Sequence, residues 1–309
     1  MLKWTFAVAF AAASLSTTAA TAAAIPQACS APLFDGTRVT VAISGNGPDV
    51  VLLPGLSSPR AVWDRTARRL KDAYRLHIVQ IRGFGDSAGA NATGPVLDPA
   101  SREVAGYIDD CILGAGREAP AIVGHSMGGL AGLMIAARQP DAVGKLMIVD
   151  ALPFIGTLFA PDATVETLRP QAEVAAGAMR AEYGRPQPDG PVADPGEKSP
   201  MGRMSNSAEG RIAVATWARA SDPRVSAQAF YDVLTTDMRA ELGSVTAPVT
   251  LVYAQDDRVA SPVATKALFE TPYRDIANFR AQMISDSRHF LMLDQPAAFA
   301  EALDKFLAD

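Results

Sequence analysis

Residues 121–130 read AIVGHSMGGL, an apolar segment that runs directly into a glycine-rich one. The first three residues are typical of a strand buried in a parallel sheet, and residues 127–138 have the composition of a helix. Between them, Gly124, Ser126 and Gly128 form a G-x-S-x-G pattern. In a strand–turn–helix context this pattern predicts a sharp turn that presents a serine nucleophile.

The glycines of this pattern have a steric explanation. A side chain two residues on either side of the serine would collide with the neighbouring strand or helix, so Gly124 and Gly128 leave Ser126 Oγ exposed at the carboxyl end of the sheet. There the hydroxyl lies at the N-terminus of the next helix, whose free N–H groups favour developing negative charge. We therefore predict that Ser126 is a catalytic nucleophile.

Apolar strands and helices alternate on both sides of this motif. The pattern predicts strands at 38–44, 50–53, 77–81, 121–123, 145–149, 248–253 and 279–284, and helices at 59–71, 98–113, 127–138, 262–269 and 296–307. Such alternation is typical of a parallel sheet covered by helices on both faces. It stops between 152 and 243, where only helix-like pieces at 165–181 and 208–220 and loose loops are expected.

The serine motif and this alternation resemble the α/β-hydrolase superfamily over roughly residues 35–153 and 244–307. The resemblance implies an α/β fold with a mostly parallel central sheet flanked by helices. It also implies that the insertion forms a helical cap over the serine. The expected organisation is a core in two parts, 25–151 and 244–309, separated by a cap at 152–243.

The chain contains three histidines, which are the candidates for the base that activates the serine. A serine hydroxyl is a poor nucleophile until a neighbouring base takes its proton. His77 falls inside a buried strand and is interpreted as a packing residue, and His125 must point away from the adjacent Ser126. His289 lies in the loop before the last helix, where the family places its base, and is the predicted base.

The acid that orients the histidine is less sharply defined. The resemblance places it after the strand at 248–253, where relatives often have Gly-x-x-Asp. Ala254 stands at the glycine position, which indicates Asp257. Asp256 remains an alternative because the following proline falls one place later than in the common pattern. Asp150, at the end of an earlier strand, is a second alternative, because some relatives carry the acid there.

The predicted oxyanion hole consists of two backbone N–H groups, those of Leu56 and Met127. Leu56 follows a buried strand in the sequence Leu53-Pro54-Gly55-Leu56, where many relatives have His-Gly and this chain has proline in place of the histidine. The change matters little because the donors belong to the main chain. Loss of one such donor typically costs about 10²–10³ in rate.

Composition and motifs give little support for other partners. The chain carries 28 Lys and Arg against 33 Asp and Glu, so an excess of positive charge for nucleic acid is lacking. Residues 83–88, GFGDSA, fit a dinucleotide fingerprint, but a helix does not follow directly. We expect no cofactor and no metal, and a small-molecule ester as substrate. The oligomeric state is left open.

The inserted segment carries apolar side chains that are candidates for the substrate pocket or for its own core. At helical spacing a core role is the more common one. The lack of a basic cluster favours a small or medium, largely uncharged substrate. These side chains are Phe154, Leu158, Phe159, Met201, Met204, Trp217 and Phe230.

The N-terminus reads MLKWTFAVAFAAASLSTTAATAAA over residues 1–24. One positive charge at Lys3, an apolar run at 4–15 and then small residues are the order found in a secretory signal peptide, with cleavage after about Ala22 or Ala24. The apolar run is short for a membrane span, which needs about 20 residues. We expect a secreted or periplasmic protein without stable membrane insertion of the mature chain.

Export has a consequence for Cys29 and Cys111, the two cysteines of the chain. An oxidising compartment permits a disulfide between them. Two separate thiols, or a lipid anchor on Cys29, are the alternatives, and the sequence does not supply the Cα separation that decides between them.

The expected activity is hydrolysis of a carboxylic ester through an acyl-enzyme, by a secreted serine hydrolase of the carboxylesterase type. Amide or aminopeptidase hydrolysis, thioester hydrolysis, lactone hydrolysis and cofactor-free peroxidation are alternatives that use the same three side chains. A non-catalytic binding protein of the same fold is a further alternative, although such proteins usually lose one of the three.

Overall fold

The computed structural model describes Cys29 and residues 32–309. The predicted signal peptide at 1–24 lies outside the described residues, so its cleavage and export stay predictions.

The described residues contain one eight-stranded sheet with the strand order β1-β2-β4-β3-β5-β6-β7-β8. β1 and β2 pair antiparallel, as do β2 and β4, and every pairing from β4 through β8 is parallel. The strands are β1 (Leu33–Asp35), β2 (Val39–Ser44), β3 (Asp49–Leu53), β4 (Arg75–Ile81), β5 (Ala121–His125), β6 (Lys145–Val149), β7 (Val249–Ala254) and β8 (Phe279–Ile284).

Helices pack on both faces of the sheet. They are α1 (Asp64–Leu70), α2 (Leu97–Cys111), α3 (Met127–Arg138), α4 (Val165–Arg180), α5 (Ala208–Ala220), α6 (Pro223–Thr235), α7 (Pro262–Glu270), α8 (Leu291–Asp294) and α9 (Pro296–Ala308), with several 3₁₀ turns between them. The predicted α/β-hydrolase fold, a mostly parallel sheet flanked by helices, is confirmed.

The core lies in two layers because β3 is buried on both faces. Side chains alternate along a strand, so Val51 and Leu53 belong to one apolar cluster, together with residues of α2 and α3. Val50 and Leu52 belong to the other, together with Trp63 and residues of α9. This continuous burial explains why the central strands read as apolar runs rather than as alternating patterns.

Several elements differ from the sequence predictions. The expected helix at 59–71 begins as a 3₁₀ turn (Arg60–Trp63) before α1. β1 was not predicted, since it has only three residues and depends on its pairing with β2. α6 was not predicted either, although Asp222 caps it and Pro223 occupies its first turn, which is a recognised helix-start signal.

A disulfide joins Cys29 to Cys111, the last residue of α2. The Cα atoms lie 5.1 Å apart, within the range that a disulfide requires. This answers the question that the sequence left open, and it ties the chain before the sheet to α2.

Candidate active site

Ser126 occupies a strained turn between β5 and α3. Its backbone angles are φ 53° and ψ −120°, which place a non-glycine residue in a disfavoured region. The glycines around it have no room for a side chain. A Cβ atom on Gly124 would lie 2.2 Å from the carbonyl oxygen of Gly128, and a Cβ atom on Gly128 would lie 2.4 Å from that of Leu53. The steric reason predicted for the motif is therefore visible in the structure.

Ser126 and His289 are brought together as predicted. The Ser126 backbone N–H donates to the carbonyl of Val149 at 2.9 Å, which holds the turn against β6. Ser126 Oγ lies 2.9 Å from His289 Nε2. The His289 side chain is 28% exposed, so solvent and a substrate can approach the pair. At this distance the imidazole is placed to accept the serine proton.

The carboxylate that contacts His289 belongs to Asp150. Asp150 Oδ2 lies 2.8 Å from His289 Nδ1, and Oδ1 accepts from the backbone N–H of Ala254 at 2.8 Å. The Asp150 side chain is only 9% exposed. A carboxylate accepts hydrogen bonds, so His289 carries its proton on Nδ1 and leaves Nε2 free for Ser126.

The structure therefore corrects the predicted acid from Asp257 to Asp150. Asp257 is exposed, and its Oδ1 accepts from Gln255 Nε2 at 2.8 Å. The physical reason lies in the strand order. Asp150 follows β6, which pairs directly with the serine-bearing β5, whereas Asp257 follows β7, one strand farther away, and lies on a turn that faces solvent.

Asp256, the other alternative for the acid, contacts two arginines instead of His289. Its carboxylate accepts from Arg258 and from Arg288 Nε, the latter at 2.9 Å. These bonds, with Arg258 contributing most, hold the pKa of Asp256 below its usual range against the opposing effect of burial. Since Arg288 precedes His289, the ion pair fastens the loop that carries the imidazole.

The two predicted oxyanion donors come from segments that meet at the serine. Met127 is the first residue of α3, and the Leu130 N–H bonds to the Ser126 carbonyl, so the N–H groups before Leu130 point out of the helix end. The loop with Leu56 lies against the same turn. A Cβ atom on Gly55 would be 3.2 Å from Ser126 Cβ.

The loop that carries Leu56 is hydrogen-bonded to the segment 152–243. Ser57 has a positive φ of 53°, and its hydroxyl donates to Ser226 Oγ of α6 at 2.8 Å. Through this contact, α6 of the segment between β6 and β7 is joined to the residue that follows Leu56.

The other two histidines are fully buried, and neither bonds to Ser126 Oγ. His77 bonds to Tyr107 Oη at 2.6 Å and to Asp49 Oδ1 at 2.7 Å, in a polar cluster near the amino end of the sheet. This agrees with its interpretation as a packing residue. The His125 Nε2 atom lies 2.9 Å from the carbonyl oxygen of His289.

A family model described as the alpha/beta hydrolase family matches residues 50–302 of the chain. That range covers the serine turn, Asp150 and His289. The chain belongs to the α/β-hydrolase family.

Curated relatives of this α/β hydrolase include two named pimeloyl-(acyl-carrier protein) methyl ester esterase. The protein from Vibrio cholerae is 28% identical over 269 residues, which cover 85% of this chain and 96% of the relative. The protein from Vibrio campbellii is 36% identical over 109 residues, which are 35% of this chain and 39% of the relative's length. Among solved structures, a thermophilic esterase from Thermogutta terrifontis superimposes with a TM-score of 0.70 at 20% identity, over 90% of this chain and 98% of that one.

A pocket of about 90 Å³ opens beside the serine of this hydrolase. Apart from Ser126, Asp150 and His289 its lining is apolar, and part of it comes from the segment between β6 and β7. The apolar lining residues are Met127, Leu130, Ala151, Leu152, Ile155, Leu158, Val233 and Phe269.

Of the apolar residues named from the sequence as pocket candidates, Leu158 lines this pocket. Phe154 is fully buried under Arg239, whereas Phe159 is 63% exposed. Three others, Met201, Met204 and Trp217, pack against the apolar cluster that contains Phe290. Phe230 is half-buried. The pocket residues Leu152, Ile155, Val233 and Phe269 were not singled out, because their side chains carry no chemical signal that separates lining from core.

The described residues lack the arrangements that a metal site and a membrane-spanning helix require. Among Cys29 and residues 32–309, no group of three or more His, Cys, Asp or Glu side chains is arranged to hold a metal ion. Over that same part of the chain, no helix has both the length and the apolar character needed to cross a membrane.

Proposed function

We propose that this esterase-like hydrolase cleaves a small, largely uncharged carboxylic ester through an acyl-enzyme formed on Ser126. The observation that carries the proposal is the pair of hydrogen bonds that joins Ser126, His289 and Asp150. The two Vibrio relatives are named as methyl ester esterases, which supports ester hydrolysis as the reaction class.

In the first half of the proposed reaction, Ser126 Oγ attacks the ester carbonyl while His289 Nε2 takes its proton. Asp150 Oδ2 stabilises the imidazolium that forms and keeps its Nδ1 proton in place. The carbonyl oxygen gains negative charge and accepts from the N–H groups of Leu56 and Met127. The C–O bond to the alcohol then breaks, and His289 Nε2 gives its proton to the departing alcohol.

In the second half, water releases the acyl group. His289 Nε2 takes a proton from water as the water oxygen attacks the acyl carbonyl, and the same two N–H groups hold the oxyanion again. The bond to Ser126 Oγ breaks, the proton returns to the serine, and a carboxylic acid leaves. The enzyme regains its starting protonation state, so no cofactor is required for this cycle.

The substrate class follows from the pocket. Its lining beyond the three catalytic side chains is apolar, so a charged group in it would lose hydration without a partner. A volume of about 90 Å³ beside the serine fits a short acyl chain better than a long one. We assign the helical segment 152–243 the role of a cap that closes this pocket, because Leu152, Ile155, Leu158 and Val233 line it.

We further propose that the protein is exported after removal of its N-terminal signal at about Ala22 or Ala24. The Cys29–Cys111 disulfide supports this proposal, because structural disulfides persist in oxidising compartments. Expression of the full chain in a bacterial host, followed by N-terminal sequencing of the extracytoplasmic fraction, tests it. Recovery of intact residues 1–24 in the cytoplasm would contradict it.

A series of p-nitrophenyl esters from acetate to octanoate tests the activity. The expected result is the highest kcat/KM for acetate to butyrate, and a loss of activity in Ser126→Ala and His289→Ala. Hydrolysis that persists in Ser126→Ala would contradict the proposal.

A further inference from the structure

His125 is a buried imidazole that the proposed reaction does not use. It is the last residue of β5, it has no exposed surface, and it precedes the nucleophile. Its ring lies 4.7 Å from the ring of His289 and 4.7 Å from that of Phe290. A side chain in this apolar contact would pack equally well without nitrogen atoms, so the presence of an imidazole requires another reason.

The nitrogen atoms of His125 have unequal surroundings. Nε2 lies 2.9 Å from the backbone carbonyl oxygen of His289. A carbonyl only accepts hydrogen bonds, so Nε2 carries the hydrogen of this imidazole. Nδ1 is buried without a partner among the described residues, and a Cβ atom on Gly55 would lie 2.8 Å from it. One nitrogen is therefore left unsatisfied while the other makes a single bond.

The acceptor of that bond is the main chain of the proposed base itself. The other hydrogen bonds that hold the backbone of this loop are made by residues near His289 and not by His289 itself. The Ser287 N–H donates to Gln255, the Arg288 N–H to Asp294, and the Phe290 N–H to Met204. Among the described side chains, only that of His125 bonds to the His289 carbonyl. His125 is the residue immediately before Ser126. The last residue of β5 thus links the segment of the nucleophile to the main chain of the base.

The charge state of His125 suits this role. Burial lowers its pKa well below the usual 6.5, and the neighbouring His289 lowers it further. A neutral ring adds no repulsion when His289 becomes positively charged during the reaction.

We propose that His125 is a positioning residue, which holds the backbone of His289 through its Nε2–H so that the His289 ring stays within reach of Ser126. This inference rests on the proposed function of Ser126 and His289. It assigns no proton transfer to His125.

Two substitutions separate the hydrogen bond from packing. His125→Gln keeps a donor at a similar reach, and His125→Leu fills the site with no donor. We expect His125→Leu to lower kcat by about 10- to 100-fold, since small misplacements of a catalytic group have effects of this size. KM should stay within about twofold, and His125→Gln should recover kcat to within about threefold of the wild type, because the bond is restored. Equal kcat in His125→Leu and wild type, or equal losses in both folded variants, would overturn the proposal.

A spectroscopic measurement makes the test independent of the substrate. The chain has three histidines, so tag-free protein labelled with ¹⁵N-histidine gives three imidazole spin systems. The signal absent from His125→Gln belongs to His125, and in the wild type it should be the neutral Nε2–H form. A neutral Nδ1–H form, or an imidazolium at pH 7, would overturn the inference.

The same spectra distinguish failure of this inference from failure of the proposed function. If the wild type hydrolyses no ester and Ser126 proves unreactive, the proposed function fails. The His125 tautomer and the change in the His289 resonances of His125→Leu still decide whether the link to His289 exists. Unchanged His289 resonances in that variant would overturn the positioning role.

Discussion

Asp150 Oδ2 lies 2.8 Å from His289 Nδ1, although 139 positions separate the two residues in the chain. The contact is made because β6 pairs with the serine-bearing β5, which places the residue after β6 beside the serine turn. Asp150 adopts a positive φ of 50°, and the Ala254 N–H holds its second oxygen. The Asp150 carboxylate is thus held by the Ala254 main chain on one oxygen and by the His289 ring on the other.

This geometry predicts a large loss of activity for one aspartate variant and almost none for another. Asp150→Asn should lower kcat by about 10²–10⁴-fold, because an amide neither stabilises the imidazolium nor enforces its tautomer. Asp257→Asn should leave kcat within about twofold, because its carboxylate is exposed and accepts from Gln255 instead. Steady-state hydrolysis of p-nitrophenyl acetate by both variants provides the measurement. A large loss in Asp257→Asn with little loss in Asp150→Asn would reverse the assignment.

Sequence reasoning could reach the serine and the histidine but could not reach the acid. Gly124 and Gly128 mark the turn at Ser126 by sterics that act within a few residues, and the chain offers only three histidines. Asp150, Asp256 and Asp257 all follow apolar strands, so local pattern treats them alike. The choice depends on which strand end lies beside the histidine loop. That is a property of sheet order, which a single sequence does not contain.

The same division applies to the rest of the molecule. The strands at Lys145–Val149 and Phe279–Ile284 were predicted with their observed bounds, the first because its apolar run ends at Asp150 and the second because Ser285 and Asp286 follow it. The Cys29–Cys111 disulfide and the Ser57–Ser226 contact were out of reach, since each depends on a distance between remote segments.

A pair of glycine variants tests the crowding at the serine turn. Gly128→Ala should destabilise the fold by about 1–3 kcal/mol, because its Cβ atom would lie 2.4 Å from the Leu53 carbonyl oxygen. Gly177→Ala in α4 is the control. Apart from the backbone of its own helix and its chain neighbours, no atom lies within 4 Å of the added Cβ, so this substitution should stabilise the fold by about 0.5–1 kcal/mol. Urea unfolding measures both, and equal effects of the two substitutions would contradict the steric account.

The disulfide predicts a stability difference without a change in the active site. Replacing both cysteines by Cys29→Ser and Cys111→Ser should lower the free energy of unfolding by about 2–5 kcal/mol, because the bridge closes a loop with a sequence separation of 82. Chemical reduction of the wild type should give the same loss. Thiol titration of the unfolded oxidised protein is the companion measurement, and detection of free thiols would show that the bridge is absent.

Two buried neutral histidines predict acid sensitivity. Burial lowers the pKa of His77, against the opposing effect of Asp49, and lowers that of His125 strongly. Below the usual pKa of 6.5 the unfolded chain therefore binds more protons than the folded chain. The free energy of unfolding should fall with decreasing pH, by up to about 1.4 kcal/mol per pH unit for His125 and by less for His77, whose pKa is displaced less.

Urea unfolding between pH 4.5 and 6 measures this slope, and His125→Leu serves as the matched variant. Loss of one titrating imidazole should reduce the slope by up to about 1.4 kcal/mol per pH unit. An unchanged slope in His125→Leu would show that His125 is charged in the folded protein, or that it titrates alike in both states.

The apolar pocket predicts a change in acyl-chain preference. Val233→Ala removes two methyl groups from the lining beside Ser126, so the ester giving the highest kcat/KM should become longer by about one or two carbons. Val174→Ala is the control, because Val174 is 75% exposed on α4. A p-nitrophenyl ester series compares the two variants. An identical preference in Val233→Ala and wild type would place the acyl chain elsewhere.

Covalent modification by a fluorophosphonate tests the role of Ser126 most directly, because the reagent reacts much faster with a serine whose proton is removed by a neighbouring base than with an ordinary serine. Mass spectrometry of the wild-type protein should show one adduct, located by peptide mapping on Ser126, and the rate of its formation should fall steeply in Asp150→Asn. An unmodified Ser126 in folded protein, or an adduct formed at the same rate without the carboxylate of residue 150, would contradict the account.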